Sequence, residues 1–235
     1  MQNKFFQQFL SSGFGELNRG VKKHSMELYR HNYKKFLPKN KEVKILEIGC
    51  GQGYFLDFLG EQGYQNILGV DLSAEAVEFC LERGLSKVKL ISNLQEFLSS
   101  SAMYDFVVLN DVIEHFPKQD VLENLEKIRE KMNMGGVIII KTGNMASLAG
   151  LKIRYNDFTH ESGFTEYSLS QVLKVSGFSD IMIYPFVFPK NRITRIIRSG
   201  LQSILHFFWK TIFFFEFTLP PRLVHELIFS VAKRN

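Results

Sequence analysis

Apolar positions along the chain fall into short β-branched and aliphatic runs, separated by stretches with helical spacing. Residues 43–48, 67–71, 88–92, 106–110 and 137–141 read as five strands. Their continuous apolar character predicts strands buried on both faces. Residues 54–61, 74–83 (closed by Gly84) and 118–131 (ending near Gly135 and Gly136) read as the helices between them. Strands alternating with helices predict an α/β fold with a doubly wound, mostly parallel sheet. Right-handed crossovers then place the strand C-terminal ends, and any ligand, along one rim.

The ends read differently. Residues 16–37 predict a helix with Leu17, Val21, His24, Leu28, Tyr29 and Phe36 near one face, stopped by Pro38. Beyond residue 142 the pattern loosens. Residues 143–166 read as a loop or short insert, 169–176 as a helix closed by Gly177, and 181–188 as a strand. Residues 192–216 look helical, Pro220 and Pro221 break them, and 227–232 is a last strand. The expected organisation is an N-terminal helical cap (1–42), a core (43–188), a hydrophobic and basic helical insert (189–222) and a final strand (223–235).

At 235 residues one core suffices without a disulfide or metal staple. Cys50 and Cys80 are too few for a disulfide framework and fit a reducing compartment. No apolar stretch of signal-peptide length stands in the first 30 residues, so a cytoplasmic protein is expected. The net charge of +5 is unevenly placed. Residues 1–44 carry ten basic and three acidic side chains, and residues 189–235 carry eight and two, while the middle is net acidic. That argues against a nucleic-acid-reading core and for an anionic surface met by the ends.

The central chemical signal is Leu46-Glu47-Ile48-Gly49-Cys50-Gly51-Gln52-Gly53. Glycines let a strand end turn tightly beneath a ligand, and the helix after them aims its amides at it. Eighteen residues past Gly53, Asp71 ends the next strand, where a carboxylate can accept from both ribose hydroxyls. Such a turn serves a dinucleotide, an adenosyl-sulfonium compound or no ligand. A dinucleotide fingerprint wants glycine or alanine where Tyr54 stands. Glu47 suits an amino-acid ammonium and would repel a pyrophosphate.

These residues, with Gly69-Val70-Asp71-Leu72-Ser73 and Tyr104 through Glu114-His115, resemble the class I S-adenosylmethionine-dependent methyltransferases. The resemblance spans about residues 43–188 and the closing strand. It implies a seven-stranded Rossmann-like sheet with an antiparallel last strand, and S-adenosylmethionine as cofactor. It implies Glu47 near the methionine amine, Gly49, Cys50, Gly51 and Gly53 beneath methionine and ribose, Asp71 on the ribose and Leu72 on the adenine face. Where the family often has aspartate after strand three, this chain has Asn93 and Leu94. The Asn93 amide oxygen and the Leu94 amide are expected to meet the adenine. Asn110 and Asp111 are expected to line the pocket after strand four.

For chemistry, a methyl acceptor hydroxyl benefits from a general base. His115 follows strand four on the ligand rim, with a simple loop-capping role as the alternative. The second candidate is Asn156-Asp157-Phe158-Thr159-His160-Glu161, with His160 as base or acceptor ligand and Asp157 orienting it. Asn144 is a further pocket candidate, and Thr165 or Ser168 a helix cap. This pattern resembles methyltransferases of bacterial surface-polysaccharide assembly. The six histidines do not pair at i, i+4, so no metal is expected.

Residues 192–220 carry isoleucine, leucine and phenylalanine at helical spacing, with arginines on other faces. Lys210 and Glu216 argue against a membrane span. A pair of helices lying peripherally in a membrane interface is expected, against a homodimer interface or a pocket lid. The resulting expectation is an O-methyltransferase acting on a sugar hydroxyl of a surface glycan or its precursor, at the inner membrane face. A quinone-type or other small-molecule methyltransferase is the enzyme alternative, and a non-catalytic cofactor-binding scaffold the other. No nucleic-acid partner is expected, because the Asn-Pro-Pro-Tyr type of motif is absent after strand four.

Overall fold

The computed structural model describes residues 19–217 and 219–235. Residues 16–18 of the expected first helix lie outside the described residues. The chain forms α1 (Arg19–Tyr33), β1 (Ile45–Ile48), α2 (Tyr54–Glu61), β2 (Ile67–Asp71), α3 (Ala74–Glu82), β3 (Val88–Leu90), α4 (Leu94–Ser100) and β4 (Tyr104–Asn110). It continues through α5 (Val121–Glu130), β5 (Met132–Gly143), α6 (Gly150–Asn156), α7 (Glu166–Val175), β6 (Phe178–Pro185), α8 (Ile193–Phe217) and β7 (Leu227–Arg234).

The seven strands form one sheet in the order β3-β2-β1-β4-β5-β7-β6. Strands β1 to β5 run parallel, and β7 is inserted antiparallel between β5 and β6. This is the predicted doubly wound sheet. Each face of the sheet carries its own core, because successive residues point to opposite sides. Leu46, Val107, Leu109, Ile138 and Ile140 pack with Phe97 and Leu98 of α4, Leu125 of α5 and Leu169 of α7. Ile45, Phe106, Val108 and Ile139 pack with Tyr33 of α1 and Phe55, Phe58 and Leu59 of α2. Burying each such side chain stabilises the fold by roughly 1.5–3 kcal/mol, so the sheet centre is its rigid part.

Several elements differ from expectation. Helix α4 has too few apolar positions to show a period. Its signal is Asn93, whose side-chain oxygen caps the helix by accepting from the amides of Gln95 and Glu96. The segment 143–166 contains the short α6. Residues 193–217 form one continuous helix rather than a pair, since nothing before Pro220 breaks it: Gly200 lies mid-helix and is tolerated. The start of α7 follows the expected capping, with Thr165 and Ser168 bonding reciprocally.

Candidate active site

The C-terminal ends of β1, β2 and β4 open into a cleft of about 480 Å³. Crossover topology puts a ligand site at this rim. The walls include Glu47, Gly49, Cys50, Gly51, Asp71, Leu72, Asn93, Leu94, Asn110 and Asp111, together with Tyr29 of α1 and His115. Gly53 stands outside the wall. It caps α2 at φ +73°, and a Cβ there would meet Leu85 at 2.6 Å and the Cys80 sulfur at 2.9 Å. Its glycine is required by the turn and the packing behind it. Gly49 has φ +70°, and a Cβ on it would lie 2.4 Å from Val112.

Asp71 holds the turn together. One carboxylate oxygen accepts from the Gly51 amide at 2.7 Å and the other from the Ser73 amide at 2.9 Å. Burial raises its pKa, against the pull of those amides. Glu47 is buried beside it. One oxygen accepts from the Asn110 amide nitrogen at 3.1 Å. The other oxygen has no hydrogen-bond partner. Burial pushes the Glu47 carboxyl well above the usual carboxylate range. Asn110 in turn accepts from the Tyr33 hydroxyl at 2.9 Å. A chain of polar contacts thus runs from the N-terminal helix through β4 to β1.

The second cluster stands at the cleft margin. The Thr159 hydroxyl donates to an Asp157 oxygen at 2.7 Å. The Thr159 oxygen lies 2.9 Å from Nδ1 of His115, so His115 must donate there. This fixes the neutral His115 tautomer with its lone pair on Nε2. His160 donates from Nδ1 to the Ile153 carbonyl at 2.9 Å. The two imidazoles meet edge to face with centroids 4.8 Å apart. Burial, and then the neighbouring His160, lower the His115 pKa, which favours the basic form.

Three sequence candidates, Asp157, His160 and His115, are therefore brought together across more than forty residues of chain. Two assignments change. Asp157 bonds to Thr159 and through it to His115, not to His160, because Thr159 lies between them. Asn144 is fully buried, and its side chain bonds the Leu223 and His225 carbonyls at 3.0 and 2.9 Å. It braces the return into β7 and does not face the cleft. The Asn93 oxygen lines the cleft while capping α4, so its bonds are to backbone amides. Tyr29, Tyr33 and the bridging role of Thr159 were not read from sequence. An i, i+4 tyrosine pair on an otherwise charged helix was the available signal for the first two.

Among the described residues, His115, Asp157 and His160 form a group with potential metal-ligand atoms within 4.8 Å of one another. One Asp157 oxygen accepts from both the Thr159 amide and the Thr159 hydroxyl. The main cleft fits S-adenosylmethionine. The orphaned Glu47 oxygen leaves a place for a cation, the glycine turn leaves room beneath a ligand, and Asp71 lines the cleft at the end of β2.

This sheet order, joined to a glycine cradle and paired acids on β1 and β2, defines a class I S-adenosylmethionine-dependent methyltransferase. Residues 21–182 match the methyltransferase-domain family model, and the chain belongs to that family. A solved S-adenosylmethionine-dependent methyltransferase from Archaeoglobus fulgidus is 25% identical, superposes with a TM-score of 0.65, and covers 91% of this chain and 97% of its own. The ubiquinone biosynthesis O-methyltransferase of Rickettsia canadensis is 29% identical over 107 residues, 44% of each chain. Peramine synthetase A of Epichloe festucae is 31% identical over 114 residues, 45% of this chain and 4% of its own. The chain spans under half the length of these curated relatives.

Proposed function

We propose that the chain transfers a methyl group from S-adenosylmethionine to a hydroxyl of a small or lipid-linked acceptor. The observation that carries this reading is the Asp157–Thr159–His115 relay at the margin of the cofactor cleft. When bound, the cofactor supplies an electrophilic methyl on its sulfonium sulfur. Glu47 would hold the methionine ammonium, Asp71 the ribose hydroxyls, and Leu72 and Leu94 the adenine faces. His115 would take the acceptor's proton on Nε2. Asp157, through the Thr159 hydroxyl, would stabilise the imidazolium that forms. His160 would flank the acceptor. Positioning and base together supply the rate.

Two acceptor classes share this chemistry. A quinone-type phenol is favoured by the likeness to a ubiquinone biosynthesis O-methyltransferase. A sugar hydroxyl of a surface glycan precursor is the second reading, at the inner face of a membrane in either case. The test is transfer of labelled methyl from S-adenosylmethionine onto extracted lipid-soluble quinone precursors, extracted glycan or buffer alone. Label in an extracted hydroxyl, reduced at least about tenfold by His115→Ala with cofactor affinity unchanged, is the expected result. Cofactor binding with no label in any hydroxyl acceptor would leave a binding scaffold as the better description.

A further inference from the structure

Helix α8 is inside out. Besides Lys210 and Thr211, its half-buried positions are the six residues Arg195, Ser199, Gln202, His206, Trp209 and Phe213, whose rhythm of three and four residues marks the side facing the domain. Four of these six are polar. Arg195 pairs with Glu27 at 2.9 Å, the Trp209 indole donates to the Ala146 carbonyl at 2.9 Å, and His206 lies against His225. The opposite side carries Ile193, Ile197, Leu201, Ile204, Phe208 and Phe215, each more than half exposed. An ordinary surface helix has the reverse polarity. An apolar face of this length, about 37 Å at the α-helical rise, marks an interaction surface rather than scattered exposure.

Charge selects the occupant. Residues 189–222 hold six basic side chains and one acidic one, Glu216. Arg192 and Arg198 flank the apolar arc near one end, and Lys210 flanks it further along, with its ammonium on the Arg222 carbonyl at 2.6 Å. A second copy meeting this face about a two-fold axis would bring basic rims together with few acids to answer them. An anionic lipid surface answers Arg192, Arg198 and Lys210, while Arg195 and Arg222 are paired with Glu27 and Glu166. No described helix is long and apolar enough to cross a membrane, so α8 would lie in the interface plane. The indole bond to Ala146 ties α8 to the segment bearing Leu151, Tyr155 and Phe158, each more than three-quarters exposed. That segment also carries the acceptor-side residues Asp157 and His160.

We propose that the outward face of α8 docks the protein peripherally on an anionic phospholipid surface. The inference is independent of the acceptor and needs no methyl transfer. Its test is flotation of the full chain with vesicles of phosphatidylcholine alone or with about one-third phosphatidylglycerol, at about 0.1 M and about 0.5 M salt. Partitioning at least tenfold stronger onto the anionic vesicles, and weaker at high salt, is expected. The combined variant Ile197→Glu, Ile204→Glu, Phe208→Glu should stay in the bottom layer of the gradient while its calorimetric binding of S-adenosylhomocysteine matches the parent. Absence of flotation, equal binding to both vesicle types, or a stable dimer that the triple variant dissociates would overturn the proposal. The last outcome would assign the face to a second copy.

Discussion

Tyr33 on α1 donates its hydroxyl to the Asn110 side chain at the end of β4, across 2.9 Å. Asn110 in turn donates to Glu47. The N-terminal helix is thereby wired to the acid of the glycine turn. Tyr33→Phe removes the donor and leaves the half-buried Asn110 oxygen without it, at a cost of about 1 kcal/mol. The expected outcome is a several-fold weaker dissociation constant for S-adenosylhomocysteine by calorimetry, with a small loss of thermal stability. An unchanged constant would detach α1 from the site.

Glu47 predicts a pH dependence. Burial raises its pKa in the free protein, so part of the population carries a proton that a bound ammonium would displace. Binding should therefore release protons and tighten as pH rises through the raised Glu47 pKa. Calorimetry in buffers of different ionisation enthalpy reads the proton directly. Glu47→Gln should weaken binding by at least about tenfold and abolish the release.

Thr159 offers the sharpest check on the relay. Thr159→Val keeps the shape and removes the bridge between Asp157 and His115, so turnover should fall about tenfold or more at unchanged cofactor affinity. Thr159→Ser should restore most of it. His115 has a lowered pKa, so it stays a base below its ordinary range, and the acid limb of the rate profile should lie below pH 6.5. A chelator should leave the rate unchanged; loss of activity restored by a divalent ion would make the cluster a metal site.

Glu114 links stability to pH. It is buried, and burial followed by Asp111 pushes its pKa up to about 8. The folded state therefore favours the protonated form. This contribution is complete below about pH 4.5, the unfolded value, and is lost as pH rises through about 8. Glu114→Gln mimics the neutral form. Its stability relative to the parent should improve by on the order of 2–4 kcal/mol between pH 5 and 9, read from denaturant midpoints. A constant difference would show that Glu114 is ionised when folded.

The core of the fold was legible because its strands are continuous apolar runs. Ile45–Ile48 and Ile67–Asp71 sit where the pattern places them or within two residues of it. The glycine turn was equally legible, since positive φ at Gly49, Gly51 and Gly53 leaves a compositional trace. What stayed hidden depends on tertiary contact. Spacing along the chain cannot show that Thr159 bridges Asp157 to His115, nor that Asn144 turns away from the cleft. The polarity of α8 was hidden for the same reason: sequence shows two faces, and only packing shows which one meets the domain.

Pro185 and Ile228 stand opposite each other in the antiparallel β6–β7 pair, so the long helical excursion leaves and re-enters the sheet at neighbouring points. An excursion with adjoining endpoints can be shortened, lengthened or exchanged without disturbing strand register on the far side, where the ends of β1, β2 and β4 line the cleft. The cofactor-cleft residues and the exposed apolar face of α8 thus lie in separable stretches of polypeptide. A short turn replacing residues 189–221 would remove that face and keep the residues that line the cleft.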